Sequence, residues 1–272
     1  MSRLLFLFFF VLGAIGSADE VKVTSYNIRL DTKSDREFRD WSKRRAGVVD
    51  FLKAGGFSVI GLQEALHNQL EDVRKGLPDF EQLGVGRSDG KKGGEYSPIL
   101  FDPGVWRVDL EEQGTFWLSD TPEKAGSKSW GNQVVRICTW ARLIGRNGKA
   151  IYIFNTHFDH QSQPSREKSA ELILQRIKAR KHGGDPVILM GDFNATTKNP
   201  AIQTFLNSDL LIDHGDADQK LTFNHWKAGM KKGLRIDHIF TSPSIQKAKF
   251  EVMADGDPPH SDHHPVVLTT GD

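Results

Sequence analysis

Short apolar runs with strand-like patterning recur along this chain, and nearly every one ends in a small cluster of polar side chains. Residues 21–29 alternate apolar and polar, and residues 57–64 (FSVIGLQE) read as a buried strand. Residues 134–144 (VVRICTWARLI), 151–158 (IYIFNTHF), 186–193 (PVILMGDF), 235–242 (RIDHIFTS) and 265–270 (PVVLTT) continue the set. Helical spacing appears between some of them. Residues 40–56 carry apolar positions three and four apart and stop at Gly55-Gly56, a C-cap signature. Residues 165–184 do the same, with Ser165 as the expected N-cap. Early and late β-α-β passages flank a strand-rich middle from about residue 80 to 158. That order is too irregular for a doubly wound sheet. It predicts an α/β fold of packed, mixed β-sheets with helices outside.

The polar clusters are the second constraint. They are Asn27, Gln63-Glu64, residues 155–160 (NTHFDH), Asp192 with Asn194, Asp237, and residues 261–264 (SDHH). One strand-end Asp or Asn is usually a turn former. Six such clusters, each beside buried strand, point to side chains converging on one cleft. Glu64, Asp192, Asp262 and the amides of Asn27 and Asn194 are hard oxygen donors, which suit magnesium, manganese or calcium. His157 and His263 can polarise or protonate phosphate oxygens. The chain has no P-loop, no GxGxxG, no GxSxG and no HExxH. The chemistry that fits is hydrolysis of a phosphate ester assisted by a metal, a carboxylate and a histidine.

In order, SYNIR, GLQE, NTHFDH, GDFNA, RIDHIF and SDHHPV resemble the motif series of the endonuclease/exonuclease/phosphatase superfamily, from residue 21 to 268. Residues 115–130 and 136–143 further resemble a secreted bacterial branch of it. The resemblance implies a four-layer sandwich, two mixed sheets face to face with helices on both outer sides, like pancreatic deoxyribonuclease. It also implies roles. Glu64 would be the main ligand of Mg2+ or Mn2+, with Asn27 and Asp262 lining the metal site. Asp192 would orient or deprotonate the attacking water, with Asn194 beside it. His157 would bind the phosphate. His263, oriented by Asp237, would stabilise the pentacovalent transition state, and His264 would occupy a variable position. Some relatives carry a carboxylate where this chain has Arg29. That residue is expected to meet a substrate phosphate or to form a salt bridge. Asp159 and Arg166 are candidates for a substrate-facing network. Trp130 and Trp226 are expected to be exposed rings able to stack on a sugar or base.

Composition bounds the substrate and the compartment. Residues 1–18 pair one arginine with an apolar run and a Gly-Ser-Ala exit, the layout of a secretory signal peptide, which leaves 19–272 as a single domain. The protein is then expected to be secreted or periplasmic, with no stable membrane span, and monomeric. The single Cys138 is expected in the core. Lys+Arg total 36 against 35 Asp+Glu, and losing Arg3 balances the signs. That balance favours a small phosphorylated substrate over long nucleic acid, which needs many cationic contacts. A secreted nuclease, endonucleolytic or a deadenylase-like 3'-5' exonuclease, is the alternative. A non-catalytic binding module on the same fold is the alternative of another class.

Overall fold

The computed structural model of the protein describes residues 20–215, 221–230 and 233–271. The expected signal peptide lies outside these. In chain order, β1 (Lys22–Asn27) leads through α1 (Trp41–Ala54) to β2 (Val59–Gln63), and α2 (His67–Gly76) precedes β3 (Glu81–Leu83) and β4 (Ile99–Phe101). A meander of β5 (Trp106–Trp117), β6 (Ile137–Gly145) and β7 (Ala150–His157) follows. Then α3 (Gln163–Ala179) leads to β8 (Val187–Asp192) and α4 (Pro200–Leu206). The chain closes with β9 (Ile212–Asp213), β10 (Asp237–Thr241), β11 (Ala248–Val252) and β12 (Val266–Thr270).

The described strands form two six-stranded sheets, ordered β11-β12-β1-β2-β4-β3 and β5-β6-β7-β8-β10-β9. Both are mixed. β1 runs parallel to β2, and β7 parallel to β8, each pair joined through a helix; the other pairings are antiparallel. Strand periodicity sorts the side chains into layers. Val23, Val59, Val266 and Leu268 meet Ile153, Ile188, Met190 and Ile239 between the sheets. The alternate residues Tyr26, Ile60 and Leu62 pack outward against Val48 and Leu52 of α1 and Leu70 and Val73 of α2. On the other side Phe154, Leu189 and Phe240 pack against Ile173 and Ile177 of α3 and Phe205 of α4, with Cys138 in the same layer. The result is the expected four-layer sandwich. Between the sheets a Cβ on Gly61 would stand 2.6 Å from Met190 Cε and 2.9 Å from Asn155 Cγ, so a larger residue would make these side chains shift.

Helix ends follow local chemistry. Asp40 caps α1 by accepting the Ser42 N–H at 2.9 Å, and Gly56 takes the left-handed turn after it. The cap of α3 is Ser162, not Ser165. The Ser162 hydroxyl accepts from the Ser165 N–H, so the helix starts earlier and places Pro164 in its first turn, where a missing N–H costs nothing. Among the described residues, no helix is long and apolar enough to cross a membrane.

Candidate active site

The alternation that builds the interior also builds the site. Along β1 the inward positions run Val23, Ser25, Asn27; along β8 they run Ile188, Met190, Asp192. Apolar at one end of the sandwich, the inner faces turn polar toward the other. A first polar layer bridges the sheets: Gln63 donates to Asn155 Oδ1 at 2.7 Å and to Ser25 Oγ at 3.1 Å, and Asn155 donates to the Leu62 and Pro98 carbonyls. Above it, strand register sets His157, Asp192 and Asp237 side by side, because His157 pairs with Asp192 and Asp192 with Asp237. Gly191 permits that approach. Its φ is +155°, and a Cβ there would stand 2.1 Å from the Thr156 carbonyl.

The first sheet supplies the opposing wall. Asn27 Nδ2 donates to Glu64 Oε1 at 3.0 Å and to Asp192 Oδ2 at 2.9 Å, so one amide ties both sheets together. Glu64 follows β2 directly and has φ +61°, a conformation costing a non-glycine residue roughly 1–3 kcal/mol. Its second oxygen accepts the Leu30 N–H at 3.0 Å. Hydrogen bonds to a charged group contribute about 1.5–3 kcal/mol each, so the two together outweigh the strain. Asn194, φ +48°, turns back likewise. Its N–H reaches Asp192 Oδ1 at 2.9 Å, and Nδ2 lies 3.0 Å from His157 Nε2. The segment before β12 is pinned by Ser261, which donates to the Asn27 carbonyl at 2.6 Å. This brings His263 Nδ1 to 2.9 Å from Asp237 Oδ2 and His263 Nε2 to 3.8 Å from Asp192 Oδ2. His264 turns away, its Nδ1 3.5 Å from Asn224 Nδ2.

Charges in this cluster are strongly coupled. Burial, with the Asp237 charge adding to it, pushes Asp192 up to about 7. Burial works against protonated His263, but the Asp237 and Asp192 carboxylates overcome it and hold the imidazole well above its ordinary value. Burial lowers His157, and Arg136 and Arg87 push it further down. Burial opposes charge on Glu64 too, but the Asn27 hydrogen bond and the His263 charge leave its carboxyl below the usual range. Asp262 is raised by burial; His263 pulls it down, and the Glu64 charge pushes it back up.

Among the described residues, two side-chain groups present ligand atoms within 4.8 Å of one another: Glu64, His157 and Asp192, and Asp192, Asp237 and His263. The oxygen-rich group around Glu64 suits a hard divalent cation. The nearby cation Arg29, 4.0 Å from Glu64, is shared with Asp35 at 3.0 Å. The residues present therefore fit a metal.

The outlying candidates fall differently. Asp159 is buried; its Oδ1 accepts the Gln161 and Ser162 N–H groups, while Oδ2 has no hydrogen-bond partner among the described residues. Arg166 is held by the Asp159 carbonyl at 2.8 Å and by Gln163. Trp130 and Trp226 are half-buried rather than exposed. The Trp130 ring packs on the outer core and donates to Asp120, and Trp226 sits against Phe38, Arg39 and Arg44. Sequence reasoning missed Glu95. From the glycine-rich loop between β3 and β4 it places Oε2 4.0 Å from His157 Nδ1 while accepting both ends of Arg87 at 2.6 and 2.7 Å. No strand pattern adjoins it, so the sequence offered no signal.

The family model described as "Endonuclease/Exonuclease/phosphatase family" matches residues 24–263, from β1 to the histidine beside Asp237. The chain belongs to this family. A family member from Bacteroides vulgatus is 33% identical, with a TM-score of 0.85, over 93% of this chain and 99% of its own. A mannosyl-6-phosphatase from Bacteroides thetaiotaomicron is 31% identical, with a TM-score of 0.85, over 92% of this chain and 100% of its own. The human nocturnin catalytic domain shares the fold at 15% identity and a TM-score of 0.73, covering 93% of each chain. The search of the curated proteins found no match.

Proposed function

We propose that this family member is an exported, divalent-metal-dependent hydrolase of small phosphate esters. The observation that carries this reading is the single hydrogen-bonded constellation in which Asn27 bridges Glu64 and Asp192 while Asp237 holds His263. Glu64, flanked by Asn27 and Asp262, is the principal candidate to hold Mg2+ or Mn2+, with His157 and Asp192 in reach of Glu64. The cation would neutralise phosphate charge and polarise the P–O bond.

The chain's own groups do the rest. Asp192, fixed by Asn27 and by the Asn194 N–H, orients the attacking water and accepts its proton as oxygen bonds to phosphorus and the ester oxygen departs. Asn194 and neutral His157 hold phosphate oxygens. His263, kept cationic by Asp237, donates to the oxygen on which charge accumulates.

A small substrate is supported by the charge balance and by the similarity to a mannosyl-6-phosphatase. The likeness to nocturnin is one of fold and brings no nucleic-acid substrate with it. Export rests on the leader read from residues 1–18. The test is a competition at equal phosphate concentration, with magnesium or manganese, among a sugar phosphate, a glycerophosphodiester, single-stranded RNA and duplex DNA. The sugar phosphate or the glycerophosphodiester should have the highest kcat/KM. Greater efficiency on either nucleic acid would make the protein a nuclease, and no turnover of any would make it a binding module.

A further inference from the structure

Arg136 stands one residue before β6 and is only 4% exposed. Its Nη2 lies 3.2 Å from His160 Nδ1, but Nε and Nη1 are buried with no hydrogen-bond partner among the described residues. The guanidinium borders a tight gap together with Arg87, Glu95 and His157. The two arginines there differ in one respect. Arg87 is neutralised by both oxygens of Glu95, whereas Arg136, among the described residues, has no carboxylate within ion-pair distance. A guanidinium keeps its charge in proteins, and burying it with unpaired N–H groups is costly unless an anion arrives. The other groups argued to hold phosphate on this side, His157 and Asn194, are neutral donors.

Resting on the phosphoesterase reading above, we propose that Arg136 is an anion-binding residue that reads the second negative charge of a phosphate monoester, and so selects monoesters over diesters. At neutral pH a monoester carries up to two charges on three non-bridging oxygens, and a diester carries one charge on two. A cation held at low dielectric beside His157 rewards the more highly charged group. Asn132, four residues earlier, also buries both side-chain amide atoms without hydrogen-bond partners among the described residues. This segment is therefore short of polar partners at more than one residue.

The test uses 4-nitrophenyl phosphate and its methyl diester with magnesium. Wild type should prefer the monoester, and Arg136→Gln should reduce that preference by about 10- to 100-fold, the scale of a hydrogen bond to a charged group. Arg136→Lys, which keeps the charge and loses the planar donors, should fall between. In parallel, inorganic phosphate should raise the wild-type Tm more than dimethyl phosphate does, a readout that needs neither a variant nor turnover. An unchanged ester preference in Arg136→Gln, a wild-type preference for the diester, or equal protection by the two anions overturns the assignment. Failure of wild type to hydrolyse either ester instead strikes the broader functional reading.

Discussion

The Asp237 carboxylate, 1% exposed, lies 2.9 Å from Nδ1 of His263. The two residues come from different strand ends, 26 positions apart. The contact fixes the ring so that Nε2 is the atom turned toward Asp192. Asp237→Asn should keep the shape and remove the charge. Turnover should fall on the order of 10²-fold. The Asp237 charge leads, with Asp192, in overcoming burial and keeping His263 protonated, so the alkaline limb of the kcat profile should also move to lower pH. A profile that stays in place would separate Asp237 from the protonation of His263.

The adjacent histidines give the second prediction. His263 faces the carboxylates, while His264 sits beside Asn224 and donates its backbone N–H to the Thr222 carbonyl. His263→Ala should cost about 10²–10³ in kcat, the scale for losing one transition-state donor. His264→Ala should cost far less. Steady-state rates for both variants, with Tm as a control for folding, decide it; a reversal of severity would remove His263 from its role.

Metal dependence follows from the oxygen-rich donors gathered around Glu64. Excess chelator should abolish hydrolysis, and magnesium or manganese should restore it. Glu64→Gln keeps the shape but loses the ligand charge, so the metal concentration giving half-maximal rate should rise sharply. Titration calorimetry reads the same loss without turnover. Full activity in excess chelator would end the metal assignment.

Much of this was legible in the sequence because a short apolar, strand-like run ending in polar residues is a local signal with a global consequence. Once 21–29, 57–64, 151–158 and 186–193 read as strands, their polar last residues had to gather at one end. What stayed hidden depends on contacts distant in sequence. Glu95 and Arg136 gain meaning only when folding brings their segments against His157. Trp130 and Trp226 lie in polar loops, yet their rings find Asp120 and Phe38, and composition cannot foresee such partners.

The last prediction concerns the support beneath Asp237. Asp213 in β9, its side chain 2% exposed, accepts from Arg235 Nη1 at 3.1 Å and lies 3.7 Å from His238 Nδ1, so it grips the residues on both sides of Asp237 in sequence. Burial works against the Asp213 charge, but His238 and Arg235 overcome it and hold the carboxyl well below the usual range. A depressed folded-state pKa stabilises the fold fully above the unfolded value, roughly pH 4, and that stabilisation disappears as pH falls through the folded value. Asp213→Asn should therefore destabilise the protein at neutral pH by about 3–5 kcal/mol, the range for breaking a buried ion pair. The gap between wild type and variant should hold from pH 7 down to about 4 and narrow below it. Urea unfolding at a series of pH values measures both. A gap that stayed constant down to the lowest pH at which both proteins fold would show that the carboxylate's charge contributes nothing. In that case Arg235 would be held by packing alone.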